Sequence, residues 1–80
     1  MLLGKANMFT KVLTQAGHTR RFTISEPGRL GWEMRVEEDS TVVQSVCYTD
    51  WHRVELALHD IMEQVAKLEE VGWREAVTAG

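Results

Sequence analysis

The chain has 80 residues, of which 44% are hydrophobic and 26% charged, and its formal net charge is −3. This length suits one small domain, residues 1–80, and the content of Trp, Val and Leu excludes a wholly disordered chain. A single cysteine, Cys47, excludes an intramolecular disulfide, and no signal peptide or membrane span is evident, so we expect a cytoplasmic protein with loosely ordered ends at 1–6 and 75–80.

Residues 7–17, NMFTKVLTQAG, predict a short first helix over about 8–16. Asn7 is a suitable N-cap, and Gly17 is suited to the position just after the last helical turn. The apolar side chains between them recur at helical spacing: Met8, Phe9, Val12, Leu13 and Ala16.

Two strands joined by a turn follow this segment. In RRFTISE, residues 20–26, Phe22 and Ile24 alternate with polar side chains, and WEMRVE, residues 32–37, alternates in the same way. The intervening PGRLG contains a proline and two glycines, which is typical of a hairpin turn. Matching the apolar faces predicts these cross-strand pairs: Ile24 with Met34, Phe22 with Val36 and Arg21 with Glu37.

The third strand, TVVQSVCY over 41–48, follows a turn at EDS and lacks clean alternation. A two-residue turn would direct Val43, Ser45 and Cys47 to the core and leave Val42, Val46 and Tyr48 outside. A three-residue turn would do the reverse. Either register leaves apolar side chains outside, and such strands are usually covered on both faces. The strand would also lie at a sheet edge, where its free backbone groups can accept another chain.

A long helix over about 51–70 is predicted next, with Thr49 or Asp50 as its N-cap. Gly72 would end this helix, with Trp73 as the apolar contact that follows. The apolar stripe of the helix consists of Trp51, Val54, Leu58, Ile61, Val65 and Leu68, widened by Ala57 and Met62.

The predicted order of elements is α-β-β-β-α. It describes an α+β fold in which a three-stranded antiparallel meander is covered on one face by a long C-terminal helix and a short N-terminal helix. This order resembles that of double-stranded-RNA-binding domains, and its β-β-β-α part is similar to DNA-reading modules of some plant transcription factors and phage integrases. The resemblance lies in element order alone, and it implies nucleic-acid binding as one function to weigh.

An RNA- or DNA-binding domain of this type would use the residues Arg20, Arg21, Arg29 and Arg35. The charge distribution weighs against this alternative, because residues 36–80 hold three basic side chains against ten acidic ones, whereas residues 1–35 hold six against two. The long helix starts TDWHRVE and lacks the lysine-rich start with which double-stranded-RNA domains contact phosphate. Glu33 and Glu37 also alternate with the arginines on the exposed sheet face.

The long helix also carries two histidines seven residues apart, His52 and His59, with Glu63 one turn further on. Histidine and carboxylate side chains one turn apart can share a metal ion. The helical zinc motif places its histidines four residues apart, however, and a metal needs further ligands that converge from other elements. We therefore expect a solvated flank with helix-stabilising Glu–His pairs, and neither a metal nor a cofactor.

The sequence contains no nucleophile motif, phosphate-binding glycine loop or paired-acid arrangement, so we do not expect an enzyme. The apolar residues left outside the core instead predict a small protein-interaction module, which forms a homodimer or binds another protein. The surface would combine strand 41–48 with the adjacent flank of the long helix. Its candidate residues are Val42, Val43, Val46, Tyr48, Leu56, His52 and His59.

Overall fold

The computed structural model describes residues 6–26 and 31–76, without the side chains of residues 6 and 7. These residues form an antiparallel sheet and one helix, which is an α+β architecture. The elements are β1 (Ala6–Gln15), β2 (His18–Glu26), β3 (Trp32–Glu38), β4 (Thr41–Tyr48), α1 (Trp51–Glu70) and β5 (Arg74–Glu75). Within the described ranges the sheet has five strands in the order β4-β3-β2-β1-β5. Arg29, most of the predicted turn at 27–31 and most of the ends that the sequence predicts to be loosely ordered (1–6 and 75–80) lie outside these ranges.

The predicted N-terminal helix over 8–16 is wrong, because this segment forms β1 and pairs with β2 along its length. A bulge near the start of β1 interrupts the register. Phe9, Lys11 and Leu13 share the face that packs on the core, and the amino group of Lys11 lies 3.2 Å from the Glu75 carboxylate. Because a lysine takes a place in the apolar row, the two-residue period is hidden. The predicted three-stranded meander thus gains β1, and β5 at the far edge of β1.

The β2–β3 hairpin is confirmed, including its register. The structure pairs the residues as predicted: Ile24 with Met34, Phe22 with Val36 and Arg21 with Glu37. The four apolar side chains of these pairs are all buried. Clean alternation on both strands therefore predicts the central part of the sheet correctly.

The turn between β3 and β4 has two residues, Asp39 and Ser40, with φ angles of 50° and 71°. Two positive φ angles are the type I′ geometry that matches the twist of a hairpin. The backbone N–H of Asp39 donates to the Thr19 carbonyl at 2.9 Å. This bond fixes the tip of the β3–β4 hairpin to the start of β2.

β4 follows neither of the two predicted registers. After the two-residue turn, its pairing with β3 shifts by one residue at Val43. Such a bulge exchanges the faces of all residues that follow it. Val46 and Tyr48 are therefore turned to the core face although the turn is short, and both are half-buried there. The sequence shows only that the alternation of this strand is uneven, and it does not place a bulge at Val43.

α1 begins and ends where the sequence predicts. The Asp50 carboxylate caps the helix and accepts a hydrogen bond from the backbone N–H of His52 at 3.0 Å. At the other end Gly72 has φ 109°, and the N–H groups of Gly72 and Trp73 donate to carbonyls of the last helical turn. This pair of bonds is the Schellman motif.

α1 crosses one face of the sheet on a diagonal. It starts just after β4 at one edge, and β5, which follows it, pairs with β1 at the other edge. These edges are about 14–19 Å apart, and a strand of eight residues is about 26 Å long. The diagonal of a rectangle with these two lengths as its sides is about 30 Å, which is about the length of a 20-residue helix. The length of α1 therefore matches the distance that it has to cover.

A single core lies between α1 and this face of the sheet. It is formed by the buried side chains of Leu13, Phe22, Ile24, Met34, Val36, Val54, Ala57, Ile61 and Val65. Trp51 and Met62, which the sequence assigns to the apolar stripe, are exposed. No described element covers the opposite face of the sheet. Among the described residues, no helix combines the length and apolar character that crossing a membrane requires.

Candidate interaction surface

β4 is a full-length edge strand, because it pairs with β3 on one side and with no strand of the described chain on the other. Its eight residues, TVVQSVCY, include no charged side chain. Val42 and Val43 are 48% and 53% exposed, as expected for interface candidates. An edge of this kind presents unpaired N–H and C=O groups to solvent.

The other edge of the sheet is different in composition. It is formed by the two residues of β5, Arg74 and Glu75, and by the part of β1 beyond them. The ion pair between Lys11 and Glu75 adds charge at this edge. Charged side chains are a common protection of edge strands against further pairing. β4 has no such protection along its length apart from the bulge at Val43.

The bulge sorts the remaining candidates of β4 between the two faces. Val46 and Tyr48 lie on the helix side and pack against the core cluster. Ser45 and Cys47 lie on the open side, where both are exposed and where the Ser45 hydroxyl donates to the Glu33 carboxylate at 2.8 Å. The segment after the bulge therefore carries Val46 and Tyr48, with Gln44, on the helix side, and Ser45 and Cys47 on the open side.

The helix candidates do not lie beside β4. At about 100° per residue, Leu56, His52 and His59 lie between about 145° and 175° from the centre of the buried row of α1. They occupy the side of the helix that faces away from the sheet, and Leu56 is 55% exposed. The thickness of the helix separates them from the β4 edge, so the predicted residues form two surfaces.

A different flank of α1 faces the β4 side. Trp51 contacts Trp32 of β3 with 5.3 Å between ring centroids, so the flank that carries Trp51 is turned toward the inner strands. The opposite flank carries Arg53, Asp60 and Gln64, which are all exposed. These residues lie about 65–105° from the centre of the buried row, in the direction away from Trp51. The sequence alone does not identify this flank, because the direction of the helix across the sheet must be known first.

Each histidine of α1 has a carboxylate neighbour. The Nδ1 atoms of His52 and His59 lie 3.9 Å and 4.0 Å from carboxylate oxygens of Glu55 and Glu63. The ligand atoms of His59, Asp60 and Glu63 lie within 4.8 Å of one another, and all three residues are exposed. His52 is not part of this group. The three side chains come from one helical turn, and exposed groups of this kind are common on helices without a metal.

The arginines of the nucleic-acid alternative are divided between the two faces. Arg20 lies on the helix side, where its guanidinium forms an ion pair with Glu38 and lies 6.0 Å from the centre of the Trp73 ring. Arg21 and Arg35 share the open face. Arg21 lies opposite Glu37, and Arg35 is hydrogen-bonded to a carboxylate of its own strand at 3.1 Å.

The hairpin tips carry a hydrogen bond between two side chains that the sequence did not indicate. Asp39 accepts hydrogen bonds from the His18 side chain at 3.0 Å and from the Thr19 backbone N–H at 2.8 Å. The hydrogen bond with His18, followed by that from Thr19, lowers the pKa of the Asp39 carboxyl below its ordinary 3.8. The pair ties the β1–β2 turn to the β3–β4 turn at one end of the sheet.

Comparison with family models, curated proteins and solved structures gives no match for this chain.

Proposed function

We propose that this protein is a small non-enzymatic interaction module that accepts an extended strand of another protein chain along β4. The observation that carries this proposal is the uncharged, eight-residue edge strand with exposed Val42 and Val43. Its outward N–H and C=O groups alternate along the strand, and an extended peptide is the ligand that matches this alternation.

The surroundings of β4 favour a segment with two different faces. On the helix side the added strand would lie beside Val46 and Tyr48, which offer apolar contacts, and below the polar flank that carries Arg53 and Asp60. On the open side its neighbours would be Ser45 and Cys47. A partner segment with alternating apolar and polar residues fits both sides.

The alternative of nucleic-acid binding has weaker support. Phosphate binding needs cationic groups that converge on one surface. Here the guanidinium of Arg20 lies on the helix side in an ion pair with Glu38, and each arginine of the open face lies beside a glutamate. Filter binding with RNA and DNA at about 50 mM salt tests this alternative, since electrostatic binding is strong at low salt. We expect no retention.

The proposal can be tested by selecting short random peptides on the immobilised full chain and mapping where they bind. We expect enriched peptides to protect backbone amides of β4 from hydrogen exchange in the ¹⁵N-labelled protein. Cys47→Lys should weaken their binding, because it places a charge on the exposed side of the edge. Thr10→Lys, which changes an exposed position on the open face of β1, is the matched control and should bind normally.

Peptides that protect the open sheet face or the outer side of α1 instead would contradict the proposal. So would equal loss of binding in the two lysine variants, since only one of them changes the β4 edge.

A further inference from the structure

Building on the proposed function, we infer that the strand accepted by β4 is the β4 of a second copy of this chain. The two strands would be antiparallel and related by a two-fold axis through Val46. Like charges directly opposite one another destabilise a strand pair. Because β4 has no charged residue, pairing two copies of it puts no like charges opposite each other in any register. The charged edge formed by Lys11, Arg74 and Glu75 lacks this property.

Symmetry restricts the registers that such a pair can adopt. A two-fold axis perpendicular to the sheet leaves every side chain on its own face. Residues opposite each other must share a face. The axis therefore lies between the two copies of one residue, which are opposite each other, and not at a point between two successive residues. Within the regular part of β4 after the bulge, the central positions for the axis are Ser45, Val46 and Cys47.

The bulge selects one of these three positions. An axis at Ser45 brings Cys47 opposite the bulged Val43, and an axis at Cys47 brings Ser45 opposite Thr49, which lies outside the strand. Only an axis at Val46 pairs the whole regular segment 44–48 with itself. The resulting pairs are Val46 with Val46, Gln44 with Tyr48 and Ser45 with Cys47 of the second copy.

This pairing gives a ten-stranded sheet with the two helices on the same face. Because each α1 runs from β4 toward β1, the helices diverge from the axis and add little contact. The interface then consists mainly of the strand pair and buries less than the roughly 1,200 Å² at the lower limit of stable complexes. The dimer is therefore weak and forms at high protein concentration, so a test that traps it is required.

Disulfide trapping in the full chain tests both the partner and the register. Ser45→Cys places a thiol directly opposite Cys47 of the second copy on the open face. Oxidised glutathione accepts the two electrons and two protons of the two thiols, and a disulfide forms between the copies. In the wild-type protein the two Cys47 residues are diagonal neighbours about 7–8 Å apart, at the upper limit for a disulfide.

We expect Ser45→Cys to form a covalent dimer rapidly and the wild-type protein to form it slowly. Val43→Cys and Gln44→Cys are the matched controls, since the first reports an axis at Ser45 and the second places the thiol on the other face. Fast trapping of the wild-type protein would overturn the register in favour of Cys47, and fast trapping of Val43→Cys would do so in favour of Ser45. Equal trapping of all variants would show random collision and overturn the proposal.

A second variant keeps the test valid if Ser45→Cys fails to fold. The double change Ser45→Lys and Cys47→Lys puts two pairs of lysines opposite each other in the dimer. In the monomer the lysine at position 47 lies opposite Glu33, and the lysine at position 45 lies opposite Arg35 with the Glu33 carboxylate also within reach. The dimer dissociation constant, measured by sedimentation, should rise on the order of tenfold. An unchanged constant would overturn the proposal.

The two experiments distinguish strand binding by β4 from the identity of the bound strand. Peptides that protect β4 without any trapping of Ser45→Cys would leave the proposed function and remove the second copy as the occupant. Absence of both would remove both.

Discussion

At the scale of single residues, Gly31 and Gly72 adopt similar backbone conformations for different reasons. Their φ angles are 99° and 109°, which side chains other than glycine rarely adopt. A Cβ at Gly31 would lie 2.2 Å from the backbone oxygen of Tyr48, whereas a Cβ at Gly72 would meet only the end of the Gln15 side chain. The first obstacle is fixed backbone and the second is a flexible side chain that can move.

We therefore expect Gly31→Ala to be much more costly than Gly72→Ala. The backbone conformation alone accounts for about 1–2 kcal/mol in each variant. The clash with strand β4 should bring the loss for Gly31→Ala to about 3 kcal/mol or more. Urea unfolding of both variants gives the comparison, and equal losses would show that the Tyr48 carbonyl moves away freely.

The lowered pKa of Asp39 predicts that the free energy of unfolding depends on pH. Its pKa is lower in the folded protein than the ordinary 3.8, chiefly because its carboxylate is hydrogen-bonded to His18. The folded state therefore binds fewer protons than the unfolded chain near this pH. The stabilisation is complete above the unfolded value of 3.8 and is lost as the pH falls through the folded pKa.

Asp39→Asn isolates this contribution, because asparagine tolerates the positive φ and keeps an oxygen for the Thr19 N–H. The wild-type protein should be the more stable of the two near pH 5, and the difference in free energy of unfolding should shrink as the pH falls below 3.8. Urea unfolding across this range measures the difference. A difference that does not change with pH would show that the carboxylate charge is irrelevant.

At the scale of elements, α1 depends on the cap that Asp50 provides. Asp50→Ala removes the acceptor for the His52 N–H and should reduce the free energy of unfolding by about 1 kcal/mol. Asp50→Ser should recover most of the loss, since serine also caps helices well. Asp60→Ala, an exposed position in the middle of the same helix, is the control and should change stability by less than about 0.5 kcal/mol. Thermal unfolding followed by circular dichroism distinguishes the variants.

The elements that the sequence predicts correctly carry unbroken periodic patterns. The alternation around Phe22 and Ile24 gave the hairpin register, and the stripe and caps of α1 gave both helix ends. The sequence predicts a helix in place of β1 because Lys11 occupies a core-facing position opposite Phe22 and interrupts the apolar row, while its amino group reaches Glu75. The spacing of Phe9 and Leu13 fits a helix and a strand equally well, and only pairing with β2 decides between them.

The exposure of the β4 edge could be predicted in part for a similar reason. An uneven strand at the end of a meander indicates an exposed edge, and Val42 and Val43 are exposed there. Which side chains accompany them depends on the bulge and on the direction of α1 across the sheet. Both are set by packing between distant parts of the chain, so Leu56 was grouped with β4 although it lies on the outer side of the helix.

At the scale of the whole molecule, one corner holds the helix and the sheet together. Trp73 follows the Schellman turn, packs against the core and lies beside the Arg20 guanidinium, while β5 continues from it along β1. The side chain of Gln15 adds a hydrogen bond to the Val71 carbonyl at 2.8 Å. Because a single core joins α1 to the sheet, release of this corner exposes the core and unfolding of the molecule should be cooperative.

A comparison of two tryptophans tests this view. Trp73→Ala removes a half-buried ring that closes the end of α1 onto the sheet, and it should cost about 2–3 kcal/mol. Trp51→Ala removes a ring that is 44% exposed and contacts Trp32, and it should cost only about 1 kcal/mol. In both variants circular dichroism and the remaining tryptophan fluorescence should give the same unfolding midpoint, since helix and sheet depend on one core. If α1 melted before the sheet in Trp73→Ala, the diagonal helix would be a separate unit and the corner would not control the fold.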